Sequence, residues 1–204
     1  MTFISTPHCD ACGLPFEYEV GEDALCAACS AEAPAYRRAR TAIRYGDIAA
    51  SLITRLKHLD QTHLAPSLAE WMARAGAGLI ADAELITAVP LHRRRLWQRR
   101  FNQSVLLAQK LGRLSDREVV PDLLTRRRPT RPQVGLTRSE RQRNVSGAFT
   151  VPQRHAARIE GATILLIDDV FTTGATISAC ARVLYAAGAA HVDVLTVARV
   201  ISTD

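Results

Sequence analysis

From residue 83 onward, short apolar runs alternate with amphipathic segments. The apolar runs, which predict strands, are AELITAVPL, REVVPDLLTR, ATILLIDDV and HVDVLTVARV. The segments with apolar residues three or four apart, which predict helices, are FNQSVLLAQKLG and GATISACARVLYAAG. Gly112 and Gly188 follow the last periodic positions and are predicted to end these helices. Strands that alternate with helices indicate an α/β fold with a mostly parallel central sheet flanked by helices.

Before residue 83 the pattern is helical. The stretches AYRRARTAIRYG and DIAASLITRLKHLDQTHLAPSLAEWMARAG are Ala-rich with helical spacing, and Pro66 predicts the start of a new helix. We therefore divide the chain into a cysteine-rich module at 1–33, a helical connector or hood region at 34–82 and an α/β domain at 83–204. Residues 126–147 are polar and Arg-rich, and a loop of that length is usually functional or mobile.

Four of the five cysteines form two Cys-x-x-Cys pairs near the N-terminus. Cys9 and Cys12 are separated by thirteen residues from Cys26 and Cys29, a spacing that lets four thiolates surround one Zn²⁺ ion. The intervening GLPFEYEVGEDAL is predicted to form a short hairpin. Four protein ligands leave no open position, which predicts a structural zinc coupled to folding. His8 precedes the first pair and is either a surface histidine or an alternative ligand of the metal. Two disulfides are the other interpretation, but they require an oxidising compartment.

The composition and the apolar stretches argue against a secreted or membrane-spanning protein. Hydrophobic residues make up 48% of the chain and charged residues 23%, as in soluble globular proteins. The net charge of +6 and pI of about 9.4 permit an anionic partner without naming one. The N-terminus lacks the pattern of a secretory signal, and charged residues interrupt the apolar stretch from Val183 to Val200. We therefore expect a cytoplasmic location.

The stretch LLIDDVFTTGATI joins a buried strand to two carboxylates and a hydroxyl-rich turn. Parallel sheets bind ligands at the carboxyl ends of their strands, which is where Asp168 and Asp169 stand. Their oxygens can accept hydrogen bonds from vicinal hydroxyls, as on a ribose. The turn that follows can surround a phosphate with backbone N–H groups and hydroxyls at a helix N-terminus; it consists of Thr172, Thr173, Gly174, Ala175 and Thr176. A helix cap with nothing bound is the alternative, but it explains a single polar residue.

This stretch resembles the phosphoribosyl-pyrophosphate (PRPP) motif of type I phosphoribosyltransferases. The whole chain resembles the ComF/GntX group of competence-associated proteins, in which a cysteine zinc module precedes such a domain. The segments that carry the wider resemblance are LKH (56–58), VPLHRRR (89–95), RRFNQS (99–104), Gln133 with Leu136, and ERQRNVSGAF (140–149). The resemblance implies a type I phosphoribosyltransferase fold with a small N-terminal zinc-ribbon module.

The resemblance also implies roles for individual residues. Asp168 and Asp169 would be the catalytic pair that holds the ribose hydroxyls, and residues 172–176 would bind the 5-phosphate. The turn that would bind pyrophosphate comprises Leu91, His92 and Arg93, and the hood loop would contain Arg138, Arg141 and Asn144. Mg²⁺ would arrive with PRPP, coordinated by the diphosphate and ribose oxygens.

Two positions differ from the residues that are common in the families this chain resembles. Arg100 stands where many ComF relatives have glycine, which could change the local turn. Thr172 stands where some purine phosphoribosyltransferases have an aspartate that acts on the base, which argues against purine salvage. Lys57 and His58 match the family's LK segment, so they either face the site or lie on the surface.

Positive charge is concentrated in residues 93–143, which contain 15 Lys and Arg residues but four acidic ones. This surface could bind the diphosphate of PRPP, follow the phosphates of single-stranded DNA, or be a solvated face. Aromatic residues for base stacking are sparse: they are Trp97, Phe101 and Phe149, and the two phenylalanines are expected to be core residues.

Two functions therefore remain open. The first is a ComF-like role in DNA uptake and natural transformation, with a competence helicase and a recombination-mediator protein as partners at the inner face of the membrane. The second is a Mg²⁺-dependent phosphoribosyltransferase of nucleotide metabolism whose acceptor is unknown. The oligomeric state cannot be read from the sequence.

Overall fold

Parallel strands form the central sheet of the protein. The structure is a computed structural model that describes residues 1–21, 23–57, 59–130 and 137–201. Its strands are β1 (Arg38–Arg44), β2 (Leu85–Ala88), β3 (Glu118–Val119), β4 (Thr125–Arg126), β5 (Phe149–Thr150), β6 (Thr163–Phe171) and β7 (His191–Arg199). Within the described residues, a five-stranded parallel sheet has the order β1–β7–β6–β2–β3, and β4 and β5 form a separate antiparallel pair. The predicted α/β class with a mostly parallel sheet is confirmed.

Helices cover both faces of this sheet. They are α1 (Ala27–Ala31), α2 (Asp47–Leu56), α3 (Ala65–Ala75), α4 (Ala77–Asp82), α5 (Arg93–Arg99), α6 (Gln103–Ser115), α7 (Arg138–Val145), α8 (Ala156–Ile159) and α9 (Ala175–Ala186). Short 3₁₀ helices occupy Leu59–Leu64 and Gln153–His155. Pro66 lies in the first turn of α3, as predicted. No helix in the described part of the chain is long and apolar enough to cross a membrane.

Strand β6 shows why the apolar runs become central strands. Ile164 and Leu166 belong to the core that α9 covers, whereas Leu165 and Ile167 belong to the core that α3 and α6 cover. Because adjacent residues of a strand point to opposite faces, a strand covered on both sides must be apolar throughout. Those four side chains are fully buried.

The helix predicted for AYRRARTAIRYG is wrong, because residues 38–44 form β1 at an edge of the sheet. The arginines at its start are held by carboxylates that lie far away in sequence. Arg37 and Arg38 each donate to the fully buried Asp193 of β7, at 2.5 and 2.7 Å. Burial opposes ionisation of Asp193, but these hydrogen bonds outweigh it and lower the pKa of its carboxyl. Pairing with β7 thus decides the conformation, and the region assigned to a helical connector contributes a strand to the central sheet.

Three other predictions need correction. Helix α6 runs through Gly112 and ends three residues later, where Asp116 adopts a left-handed conformation with φ 51°. Gly112 instead permits close packing, because a Cβ atom there would lie 2.2 Å from a methyl carbon of Val119. The loop predicted at 126–147 contains helix α7, which begins with a capping box between Thr137 and Glu140. The segment predicted as a hairpin between the cysteine pairs contains no strand among its described residues.

The N-terminal module packs on the open edge of β1. The Ala39 N–H donates to the Ala11 carbonyl at 2.7 Å, and Arg40 donates to the backbone carbonyl and side chain of Asp10. Gly13 has φ +70°, and a Cβ atom there would lie 2.4 Å from the Ala39 carbonyl oxygen. Only glycine allows the two backbones to approach so closely. The module is therefore fixed against the sheet.

Candidate functional site

A cavity of about 340 Å³, called the main cavity hereafter because it contains the predicted carboxylates, lies at the carboxyl ends of β2 and β6. The chain proceeds outward from β2 to β3 and then returns to the other side of β2 as β6, so the strand order reverses between these two strands. Open α/β sheets bind ligands at such a switch point. The charged side chains that line the cavity are Lys57, Arg95, Arg99, Arg126, Arg141, Asp168 and Asp169.

Both predicted carboxylates lie in this cavity and have specific partners. Asp169 is 8% exposed, and its Oδ2 lies 3.1 Å from Lys57 Nζ and 3.1 Å from Gln103 Nε2. Asp168 is partly buried, and its Oδ1 accepts from Ser104 Oγ at 3.0 Å and from the Asp169 N–H at 2.9 Å. The end of β6 therefore brings the two carboxylates to one site, where the first turn of α6 holds them.

Ionisation of Asp168 is costly in this site. Burial first, and then the charge of Asp169, raises the pKa of Asp168 to about 7. Hydrogen bonds from the Asp169 N–H and Ser104, together with the charge of Lys57, oppose that shift. A cationic ligand, or hydroxyl donors, would relieve the repulsion between the two acids.

The position of α6 follows from its first residues. Asn102 caps the helix, with its Oδ1 accepting from the Ser104 N–H at 2.9 Å. Its Nδ2 donates to the Val89 carbonyl at 3.0 Å, which ties the helix start to the end of β2. Arg100 precedes this cap with φ 62°, a left-handed conformation that glycine adopts more easily.

The hydroxyl-rich turn leads into α9, and four of its residues line the cavity: Thr172, Gly174, Ala175 and Thr176. Gly174 has φ +74° and directly precedes the helix. Thr173 is exposed and lines a second cavity of about 260 Å³ between the turn and the N-terminal module. We call residues 172–176 the phosphate loop hereafter, for the ligand group that its composition suits.

The three residues predicted to bind pyrophosphate after β2 do not all line the main cavity. Leu91 lines the cavity, but His92 caps α5 by accepting from the Arg94 N–H at 3.3 Å. His92 and Arg93 line separate cavities, of about 180 and 870 Å³. From this segment, Arg95 and Arg99 line the main cavity instead, together with Leu91.

The predicted hood residues lie on α7. Arg141 lines the main cavity, whereas Asn144 is half-buried and does not belong to the lining. Arg138 begins the helix, but its side chain lies outside the described part of the structure, as do His58, Gln133 and Leu136.

Sequence reasoning missed several lining residues. Gln103 belongs to the FNQS segment, which carries the family resemblance but to which no binding role was assigned. Arg126 is 9% exposed, and its guanidinium lies over the Phe149 ring at 5.2 Å. Burial and the nearby charge of Arg95 lower the pKa of Arg126. Nothing in the sequence distinguishes Arg126 from the two arginines that follow it.

The four N-terminal cysteines form one cluster, made of Cys9, Cys12, Cys26 and Cys29. Their sulfur atoms all lie within 4.8 Å of one another, and Cys12 Sγ and Cys26 Sγ are 3.7 Å apart. Burial opposes ionisation of Cys9, but hydrogen bonds from the backbone N–H groups of Cys12 and Cys26 outweigh it and lower the pKa of its thiol to about 7. The cluster can hold a metal ion, and His8 is not among its members.

Comparison with known proteins gives the family. No protein-family model matches the chain. The chain is 34% identical to the DNA utilization protein YhgH of Escherichia coli K12 over 197 residues, which cover 94% of this chain and 83% of that protein. It is 29% identical to competence protein F of Haemophilus influenzae over 211 residues, covering 96% and 86% of the two chains. It is 28% identical to competence protein ComFC of Bacillus subtilis over 165 residues, covering 80% and 65%.

Among solved structures, TT1426 from Thermus thermophilus is similar over 69% of this chain and 85% of that one, with a TM-score of 0.40 and 17% identity. That likeness is too weak to bear on the assignment. The sequence relatives are sufficient, because the protein from Escherichia coli is 34% identical over 94% of this chain. The chain belongs to the ComF family.

Proposed function

We propose that this protein acts in the uptake or use of DNA and that its main cavity binds a phosphoribosyl compound of the PRPP class. The relatives named for DNA utilization and competence support the first part. The second part rests on one observation: a carboxylate pair and a phosphate loop share one cavity with five cationic side chains.

Each part of the cavity suits one part of such a ligand. Asp168 and Asp169 accept hydrogen bonds from the ribose hydroxyls. The backbone N–H groups and hydroxyls of the four phosphate-loop residues that line the cavity surround the 5-phosphate at the start of α9. Arg95 and Arg99 attract the diphosphate, and Mg²⁺ bound to the ligand adds positive charge near the two carboxylates. Positioning and charge compensation of this kind can promote transfer of a ribosyl group without a covalent intermediate.

Calorimetry with PRPP and Mg²⁺ tests the ligand. The double variant Asp168→Asn with Asp169→Asn is expected to lose binding, because both acceptors for the ribose hydroxyls lose their charge. Asp116→Asn is the control, since Asp116 is an exposed residue in a left-handed conformation that asparagine also tolerates. Equal affinity in the wild type and the double variant contradicts the site. Release of pyrophosphate with candidate acceptors would establish an active phosphoribosyltransferase.

We propose that the cysteine cluster holds a structural Zn²⁺ ion. Sulfur atoms on a tetrahedron with zinc–sulfur bonds of about 2.3 Å are about 3.8 Å apart, close to the separation of Cys12 and Cys26. Elemental analysis of the purified protein should give one zinc per chain. Cys26→Ser should lower that ratio, whereas Cys180→Ser, at a buried cysteine outside the cluster, should not.

A direct contact with single-stranded DNA is the second candidate, and α5 favours it. Its start presents the exposed Arg93 and Arg94, and Trp97 on the same helix is 85% exposed. Stacking of one base on an aromatic side chain contributes about 1–3 kcal/mol, so Trp97→Ala should weaken binding by about tenfold. Tyr18→Ala, at another exposed aromatic residue, is the control. Binding that does not weaken with salt contradicts this contact.

The cellular role is tested by deletion in the native host. Loss of transformation or of growth on DNA, with unchanged growth on salvaged bases, supports the DNA role over nucleotide salvage. In that role the protein acts in the cytoplasm at the inner face of the membrane, with a competence helicase and a recombination-mediator protein as partners. Co-purification from competent cells tests these partners, and light scattering determines the oligomeric state.

A further inference from the structure

Arg199, the last residue of β7, lies between the cysteine cluster and the phosphate loop. Its side chain is buried, and the residue is 8% exposed. Nη1 donates to the Cys12 carbonyl at 2.5 Å, and Nη2 donates to Cys12 Sγ at 3.5 Å. A strand of the α/β domain therefore contacts a member of the metal-binding cluster directly.

The charge of Arg199 fits a cluster that holds a metal. A buried cation is costly unless an anion lies beside it. The ion pairs found between described residues do not include Arg199. Thiolates that coordinate a divalent metal would supply the missing negative charge, whereas four neutral thiols would not.

The same guanidinium stacks on the residue that precedes the phosphate loop. Its Cζ lies 4.3 Å from the centroid of the Phe171 ring. Phe171 in turn packs beneath the loop, since a Cβ atom on Gly174 would lie 3.0 Å from the ring. Tyr36 also contacts Phe171, with the two ring planes nearly perpendicular and the ring centroids 6.2 Å apart. Contacts are thus continuous from Cys12 through Arg199 and Phe171 to Gly174.

We propose that Arg199 is a positioning residue that couples the metal-loaded cysteine cluster to the phosphate loop, so that loss of the metal or of Arg199 loosens the loop and weakens its ligand. The effect on the ligand rests on the proposed phosphoribosyl site. The effect on the loop does not, because it depends only on the contacts of Cys12, Arg199, Phe171 and Gly174.

Hydrogen exchange of the zinc-loaded full chain tests the coupling without a ligand. In Arg199→Met, which keeps an extended side chain but removes the cation, amides of residues 178–181 should exchange about tenfold faster than in the wild type, as local opening becomes easier. These are the first hydrogen-bonded amides of α9, beginning with the Ser178 N–H, which donates to the Gly174 carbonyl of the loop at 2.8 Å. Chelation of zinc from the wild type should accelerate the same amides. The control is Arg182→Met, which lies at the same second cavity and is exposed. Arg199→Lys should be intermediate, because it keeps the charge and loses the stacking.

Phe171→Leu breaks the link on the loop side and leaves the contact of Arg199 with Cys12, so it serves if Arg199→Met does not fold. Unchanged exchange of residues 178–181 after chelation and in the folded variants overturns the coupling. PRPP affinity is then measured separately, with a loss of about tenfold expected in Arg199→Met. If the wild type does not bind PRPP but the loop responds to zinc, the phosphoribosyl site is wrong and the coupling stands.

Discussion

Replacing Asp168 with asparagine should stabilise the unliganded protein at alkaline pH while it weakens the ligand. The carboxylate is partly buried beside Asp169, and burial followed by that charge raises its pKa to about 7. Asparagine has nearly the same shape, and its Oδ1 can still accept from Ser104 Oγ and the Asp169 N–H. The substitution therefore removes the charge and keeps both hydrogen bonds.

The size of the effect follows from the pKa. A rise from 3.8 to about 7 corresponds to about 4 kcal/mol of destabilisation once the carboxyl is ionised, which is an upper limit. Solvent reaches the partly exposed carboxyl and screens its charge, so we expect a gain of about 1–3 kcal/mol for the variant at about pH 8. Because the folded pKa is raised, the contribution of the carboxyl to stability is largest below the unfolded pKa and is lost as pH rises through about 7.

Urea denaturation of the wild type, Asp168→Asn and the Asp116→Asn control measures this difference at two pH values. The stability gap between Asp168→Asn and the wild type should shrink between about pH 8 and about pH 5, since the wild-type carboxyl then takes up a proton when folded. A gap that does not change with pH, or a variant less stable than the wild type at pH 8, refutes the reasoning. PRPP affinity of the same variant should fall even as its stability rises.

Three further predictions concern other parts of the molecule. Lys57→Met removes the ion pair of a site carboxylate and should weaken PRPP binding by about tenfold in calorimetry. Removal of the metal by a chelator, or Cys26→Ser, should lower the melting temperature, because the N-terminal module is too small to fold without a metal. Gly112→Ala should lower the free energy of unfolding by about 1–3 kcal/mol in urea, since the added methyl would collide with β3.

Matched controls accompany these variants. Lys110→Met changes the other lysine of the chain, which lies outside the cavity lining, and should leave PRPP affinity unchanged. A response equal to that of Lys57→Met would contradict a specific ion pair. Gly78→Ala lies in α4 with open space around its Cβ position, so it should stabilise slightly. If the two glycine variants behave alike, close packing at Gly112 is not the cause. A melting temperature unaffected by chelation contradicts a structural metal.

The sequence alone determined the features that depend on neighbouring residues. The apolar run of β6 indicates a strand covered on both faces, and the acids and hydroxyls that follow it must lie at the same end of that strand. The spacing within each Cys-x-x-Cys pair brings two thiols to one turn. The acids and hydroxyls of residues 163–176 therefore indicate where the cavity lies, and the cysteine spacing indicates a cluster that can hold a metal ion.

Only the tertiary structure decided the features that depend on distant partners. Residues 38–44 form a strand because β7 and the buried Asp193 lie beside them, although their own spacing favours a helix. Lys57 and Gln103 reach Asp169 from the end of α2 and from α6, a meeting that no local pattern encodes. Arg199 is one arginine among many in the sequence, and it became distinct because the fold places it against both Cys12 and Phe171. Charges act through space, so their partners are fixed by packing of the chain and not by their order along it.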